Sequence, residues 1–244
     1  MNKSRTLPIT STPIIGTLNE GSLHASLKKF VAQPGDKFEV PIDGFVIDIV
    51  RERKQEKTLV EIQTTSFASM RKKLTHFLHN YPIRIIYPVA VEAFLVKPDK
   101  KIRKSPKKGT VFSIFEELVS IPELISNSNL SFEVLYVSVR KIQEYDPSMR
   151  RRRGGYRTVN TELSEVHSIQ KFEGVEDFLE LLPAGLPKVF TTSDIATLGK
   201  ISRQKAQQMA YCFRKVGVFH ELSHTKEGKH YEIRQAVDLL KRRN

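Results

Sequence analysis

The apolar residues between Leu23 and Val96 change period in one fixed order, and few architectures accept that order. Leu23, Leu27, Phe30 and Val31 recur at helical spacing until Gln33-Pro34-Gly35-Asp36 stops the run. Lys37–Ile42 and Phe45–Arg51 then read as strands about a turn at Asp43-Gly44, and the polar stretch Glu52–Lys57 leads into a third, Thr58–Gln63. A second amphipathic stripe follows, built from Phe67, Met70, Leu74, Phe77, Leu78 and Tyr81. Ile83–Tyr87 and Ala93–Val96 close the unit as strand-like pieces. The order α-β-β-β-α-β predicts an α/β (α+β) fold with a mixed central sheet flanked by helices.

The rest of the chain divides by texture. Residues 1–16 are rich in Ser, Thr and Pro and read as a tail, so the core spans 17–97. Lys97–Lys108 holds seven basic residues and two prolines in twelve positions and reads as an exposed connector. It opens a segment, 98–172, that continues with a short helix over about Val111–Ile125 and a β-hairpin of Phe132–Tyr145 and Tyr156–Phe172. The hairpin tip, Asp146–Gly155, carries Arg150 to Arg153. In 173–244 a short helix, Val175–Leu182, precedes Thr191-Thr192-Ser193-Asp194, which caps Ile195–Leu198. Ser202 then caps a helix through Val216, and two strand-like runs meet at Lys226-Glu227-Gly228-Lys229. Helix, turn, helix, hairpin is the order of a winged helix-turn-helix.

Charge narrows the partners. Forty Lys and Arg against 27 Asp and Glu leave a net charge of +13, with the cations clustered. Such an excess favours a polyanion, nucleic acid first, over a basic surface kept only for solubility. No run approaches the roughly 20 apolar residues that span a bilayer, and MNKSRTLPITSTPIIG lacks the apolar stretch of a secretory signal. The expectation is a cytoplasmic protein without a membrane partner. The single cysteine, Cys212, excludes a disulfide framework and a zinc ribbon, and beside Phe213 it reads as a structural thiol. His76-x-x-His79 has no third ligand nearby, and no phosphate-cradling glycine loop is present.

Three carboxylates stand where apolar residues belong. Period-two alternation sets Phe45, Ile47 and Ile49 on one side of their strand and Val46, Asp48 and Val50 on the other. Glu61 shares a face with Leu59 and Gln63, and Glu20 precedes Leu23 and Leu27 on the first helix's apolar stripe. Buried carboxylates need partners, and a divalent cation is one. The plainer alternative leaves Asp48 and Glu61 on an exposed hairpin face and Glu20 as a first-turn helix charge.

The succession of helix Glu, strand Asp, hairpin and strand Glu-x-Gln resembles the PD-(D/E)xK nuclease core of restriction enzymes and Holliday-junction resolvases. The wording NEGSLH, VPIDGFVIDIVR and LVEIQT is also similar to a group of little-characterised bacterial proteins carrying such a core. The resemblance covers Asn19–Val96. It implies a catalytic set of Glu20, Asp48, Glu61 and Gln63, and Mg²⁺ or Mn²⁺ held by Asp48, Glu61 and the backbone at Ile62. Gln63 stands where the family usually has lysine, and a neutral amide cannot supply that lysine's charge. Lys37, Arg71 and Lys72 are candidate substitutes.

Double-stranded DNA is the expected partner, and a homodimer is compatible with the reading. Arg71 and Lys72 on the second helix, Arg151 and Arg152 at the hairpin tip, and Lys226 and Lys229 at the wing are candidate phosphate contacts. Arg203, Lys205, Gln207 and Gln208 stud the recognition helix. The function expected is a metal-dependent DNA endonuclease targeted by its winged helix. The alternatives are a catalytically inactive nuclease-like regulator that binds DNA, and a protein-interaction adaptor.

Overall fold

A computed structural model describes residues 21–54, 56–98, 100–149, 155–226 and 228–234. They fold as a mixed α/β structure divided into two compact units. Of the described residues, the first unit takes in 21–65, Ile83–Val111 and Phe132–Lys171, and the second Ser66–Pro82, Phe112–Ser131 and 172–234.

In the first unit, helix α1 (Ser22–Val31) buries Leu27 completely, with Leu23, Phe30 and Val31 beside it. Lys28 and Lys29 in its last turn complement the negative end of the helix dipole. Strands β1 (Lys37–Ile42) and β2 (Phe45–Arg53) pair antiparallel through a two-residue turn. Asp43 and Gly44 both take positive φ there, 47° and 79°, which matches the right-handed strand twist. Strand β3 (Glu56–Ile62) returns antiparallel to β2, and β4 (Ile83–Val96) runs parallel to β3 after a crossover.

The order across the sheet is β1-β2-β3-β4-β6-β7, with the long strands β6 (Leu130–Tyr145) and β7 (Tyr156–Phe172) on the side away from β1. Helix α1 packs on the face carrying Ile49, Val60, Ile62 and Ile86, and Leu135, Val137 and Val166 extend the same core.

Two sequence expectations change here. Strand β4 runs unbroken through Pro88, where the pattern reads as two pieces. The basic connector is tied down in part. Strand β5 (Arg103–Lys104) pairs with Leu95 and Phe94 of β4, and Gly109 donates to the Ala90 carbonyl at 2.7 Å. A Cβ at Gly109 would lie 2.8 Å from that oxygen, so only glycine passes so close.

The second unit is held by a chain of aromatic rings. Phe172 stacks on Phe178 at 4.4 Å, Phe178 meets Phe115 at 6.0 Å, and Phe115 meets Phe213 at 5.6 Å. Phe219 and Phe190 continue the row at 5.1 and 5.0 Å. Helix α2 (Arg71–Phe77) and the 3₁₀ turn before it bury Phe67, Met70, Leu74 and Phe77.

The helix expected over Val111–Ile125 is a short α3 (Ile114–Leu118) between 3₁₀ turns, Pro122 opening the second. After α4 (Val175–Leu179) come β8 (Phe190–Thr191), α5 (Thr192–Leu198), α6 (Arg203–Lys215), β9 (Phe219–Thr225) and β10 (Gly228–Ile233). Thr191 and Asp194 form a capping box on α5, and the Ser202 hydroxyl accepts from the Lys205 amide at the start of α6. The three strands form a small sheet in the order β8-β10-β9.

The two compact units are not contiguous in sequence. The 66–82 and 112–131 stretches group with the C-terminal residues. Among the described residues, no helix is long and apolar enough to cross a membrane.

Candidate functional site

Asp48 lies where the sheet's ladders open on both sides. Between β2 and β3 the last rung is Ile49 with Val60, and Asp48 and Glu61 are the next residues on the two strands. Between β1 and β2 the rungs run from Phe38–Ile49 to Val40–Ile47 and skip Glu39 and Asp48, with Glu39 at φ 50°. In the gap the Asp48 carboxylate takes the place of a strand carbonyl. Its Oδ2 accepts the Ile62 amide at 2.8 Å.

Helix α1 completes the enclosure. His24 and Lys28 are four residues apart, so they share a face of the helix. His24 Nε2 lies 3.2 Å from Asp48 Oδ2, and a carboxylate only accepts, so that nitrogen carries the proton. Lys28 Nζ is 3.9 Å from Oδ1 and also bonds Glu39. The Lys28 side chain is 9 % exposed and that of Asp48 15 %. Burial works to raise the Asp48 carboxyl, but the bonds from His24 and Ile62 and the positive charges of His24 and Lys28 outweigh it. The group is held below the usual carboxylate range and is ionised at neutral pH.

The other predicted residues take distinct places. Glu61 is 6 % exposed and stands level with Ile85 of β4. The Ile62 side chain belongs to the core under α1, so only its backbone can serve the site. Gln63 donates its backbone N–H to the Ile86 carbonyl at 2.9 Å and its side-chain amide to Thr65 Oγ1 at 3.3 Å. Glu20 lies outside the described residues.

Asp48 and Glu61 each follow the last rung between β2 and β3, and the groups that act on the Asp48 charge are His24, the Ile62 amide and Lys28. Among the described residues no His, Cys, Asp and Glu side chains gather in a group of three that would hold a metal.

The cation beside Asp48 is Lys28, which the sequence analysis does not single out. Of the proposed substitutes, Lys37 pairs with Glu52 at 3.1 Å near the far end of β2. Arg71 pairs with Glu123 at 3.1 Å inside the second unit, where Lys72 also resides, exposed on α2. The signal for Lys28 and His24 is their four-residue spacing beside the apolar stripe of α1.

In the second unit Arg203 and Gln207 are exposed on α6, and Gln208 is half-buried. Lys205 is turned inward, its Nζ 3.2 Å from Ser113 Oγ and 3.6 Å from Glu116. Lys229 pairs with Glu221 at 2.9 Å, and Lys226 is exposed. Arg151 and Arg152 lie outside the described residues. Cys212 is buried, and desolvation reinforced by the negative charge of Glu123 pushes its thiol up to about 12. It remains a protonated thiol, which suits packing and not nucleophilic attack.

A search of solved structures finds no match. An uncharacterized protein of Treponema pallidum (strain Nichols) is 29 % identical over 190 residues, covering 76 % of this chain and 74 % of the relative. A family model described as a domain of unknown function (DUF8091) matches residues 21–173, from the start of α1 to the end of β7. The chain belongs to that family.

Proposed function

We propose that the protein binds duplex DNA in the cytoplasm and hydrolyses phosphodiester bonds in it, with Asp48 and Glu61 as its acid pair. The observation that carries this reading is Asp48 itself, kept ionised in a half-buried site where both ladders open. The order α1-β1-β2-β3-crossover-β4, with β4 parallel to β3, supports a restriction-endonuclease-like arrangement. The helix-turn-helix of α5 and α6 with its small sheet supports a winged helix for the DNA.

Asp48 and Glu61 would hold Mg²⁺ or Mn²⁺, which when bound polarises a phosphate oxygen and eases deprotonation of the attacking water. The remaining work falls to the chain's own groups. Lys28 places its ammonium beside Asp48, supplying the charge that Gln63 lacks and countering the negative charge that builds on the phosphate. His24 positions Asp48 by holding Oδ2, and the Ile62 amide fixes the same oxygen from the strand.

A second reading, a DNA-binding regulator without cleavage, is favoured by Gln63 and by the two donors already on Asp48 Oδ2. Incubating the full chain with labelled duplex in Mg²⁺, in Mn²⁺ and in EDTA separates the two. Metal-dependent product supports the nuclease. Salt-sensitive binding without product in either metal supports the regulator, and no binding at low salt discards both.

A further inference from the structure

The first unit holds a cleft of about 350 Å³ beside the C-terminal end of α1, away from the groups that surround Asp48. Its apolar wall is made by Phe30, Val31, Ile86 and Val166, and its polar rim by Arg84, Lys171 and Glu133. The volume is at the lower end of the range for small-molecule sites.

The rim is unbalanced in charge. Arg51, which also lines the cleft, is already satisfied. Its Nε and Nη2 grip Asp36 at 3.0 and 2.8 Å, and Nη2 donates to the Val31 carbonyl at 2.9 Å. Arg84 and Lys171 instead share one carboxylate. Arg84 Nη1 is 3.3 Å and Lys171 Nζ 3.7 Å from the same oxygen of Glu133, both longer than the usual charge-assisted bond. Two cations against one carboxylate leave one positive charge over, at the mouth of an apolar pocket. An ion pair this loose gives way to an anion that meets both cations at better distance.

We propose that this cleft binds a nucleoside monophosphate, with the phosphate on Arg84 and Lys171 and the base against the apolar wall. An arginine fork suits a phosphate's paired oxygens, and the wall of Phe30, Val31 and Val166 suits a flat ring rather than a bare ion. The inference does not rest on the nuclease reading, since none of these residues surrounds Asp48.

Titrating the full chain by calorimetry with AMP, GMP, CMP and UMP, and separately with their four parent nucleosides and inorganic phosphate, tests it. At least one nucleotide should saturate a single site, and its parent nucleoside and free phosphate should each bind at least about tenfold more weakly. Losing a charge-assisted contact should weaken binding about tenfold or more, so Arg84→Gln and the exposed Lys171→Gln should each show that loss. Glu133→Gln removes the competing carboxylate and should tighten binding. No saturable nucleotide binding, equal affinity for inorganic phosphate, or unchanged affinity in Lys171→Gln would overturn the proposal. So would weaker binding in a Glu133→Gln protein that melts like the wild type.

Discussion

Asp48 and Arg203 both carry charge at places the sequence marks for function, yet their surroundings are opposite. The Asp48 side chain is 15 % exposed and meets His24, Lys28 and the Ile62 amide at defined distances. On α6, Arg203 and Gln207 face water, and neighbouring cations make long ion pairs, Arg214 to Glu221 at 3.9 Å and Lys215 to Glu123 at 4.0 Å. Exposed pairs of that kind contribute about 0–1 kcal/mol and exchange readily for phosphate. A buried charge with fixed donors is arranged to keep one protonation state and one geometry. Exposed charges on a helix are arranged to attract. Substitutions in the first region should therefore change rate and stability, and in the second the dependence of binding on salt.

The largest expected effect tests whether the helix-turn-helix stands alone. Phe115 lies outside the C-terminal segment but touches both Phe178 and Phe213. Phe115→Ala should cost the second unit about 3–5 kcal/mol, the range for an aromatic core truncation, read by urea unfolding. A fragment of residues 173–244, which lacks Phe115, should be poorly folded. If it instead unfolds as cooperatively as the full chain, the C-terminal residues form a unit without 66–82 and 112–131.

Next is Lys28. Replacing it by Met leaves Asp48 buried without one of its cations, and breaking a buried pair is strongly destabilising. A loss of about 3 kcal/mol is expected, the low end of the range for breaking a buried pair, because Glu39 is half exposed and the ammonium lies 3.9 Å from Asp48 Oδ1. An equally stable Lys28→Met protein would show that the ammonium is incidental to the burial of Asp48.

A smaller effect is expected from pH. Asp48 and Asp36 are both held below the ordinary carboxylate range. In each case burial raises the group, and it is outweighed at Asp48 by His24, Ile62 and Lys28 and at Asp36 by Arg51, Gln33 and Arg53. A depressed carboxyl contributes stability that is fully present above its unfolded value of about 3.9 and is lost as pH falls through the folded value. Melting temperature should therefore drop below about pH 4. Asp36→Asn should lower stability at neutral pH and flatten that acid limb.

The smallest effects separate two residues of α6. Arg203→Ala should weaken duplex binding and lower the slope of log affinity against log salt by about one. Lys205→Ala should leave the slope nearly unchanged, since its ammonium is turned to Ser113 and Glu116. A larger change for Lys205 than for Arg203 would reverse which face of α6 meets DNA.

Much of the local structure was legible because it is set by local chemistry. Asp43-Gly44 supplies the two positive-φ residues its hairpin turn requires, and Ser202 supplies the hydroxyl that starts α6. Asp48 stood out because a carboxylate interrupts an apolar run. Its partners did not, since His24 and Lys28 flank the apolar stripe of α1 and meet Asp48 only because the ladder opens at Glu39. That opening depends on how three elements meet and leaves no periodic trace. The amphipathic stripe of Phe67 to Phe77 likewise announced a buried face but not which core would bury it.

Whether Asp48 performs chemistry is read from the rate of duplex cleavage by Asp48→Asn at saturating protein. The substitution keeps the size of the side chain and its acceptor for the Ile62 amide while removing the charge. A fall of about 10²-fold or more is expected, the scale of a lost transition-state electrostatic contact, with duplex affinity unchanged or higher because a negative charge near the phosphates is gone. Cleavage by the substituted protein at the wild-type rate would contradict it.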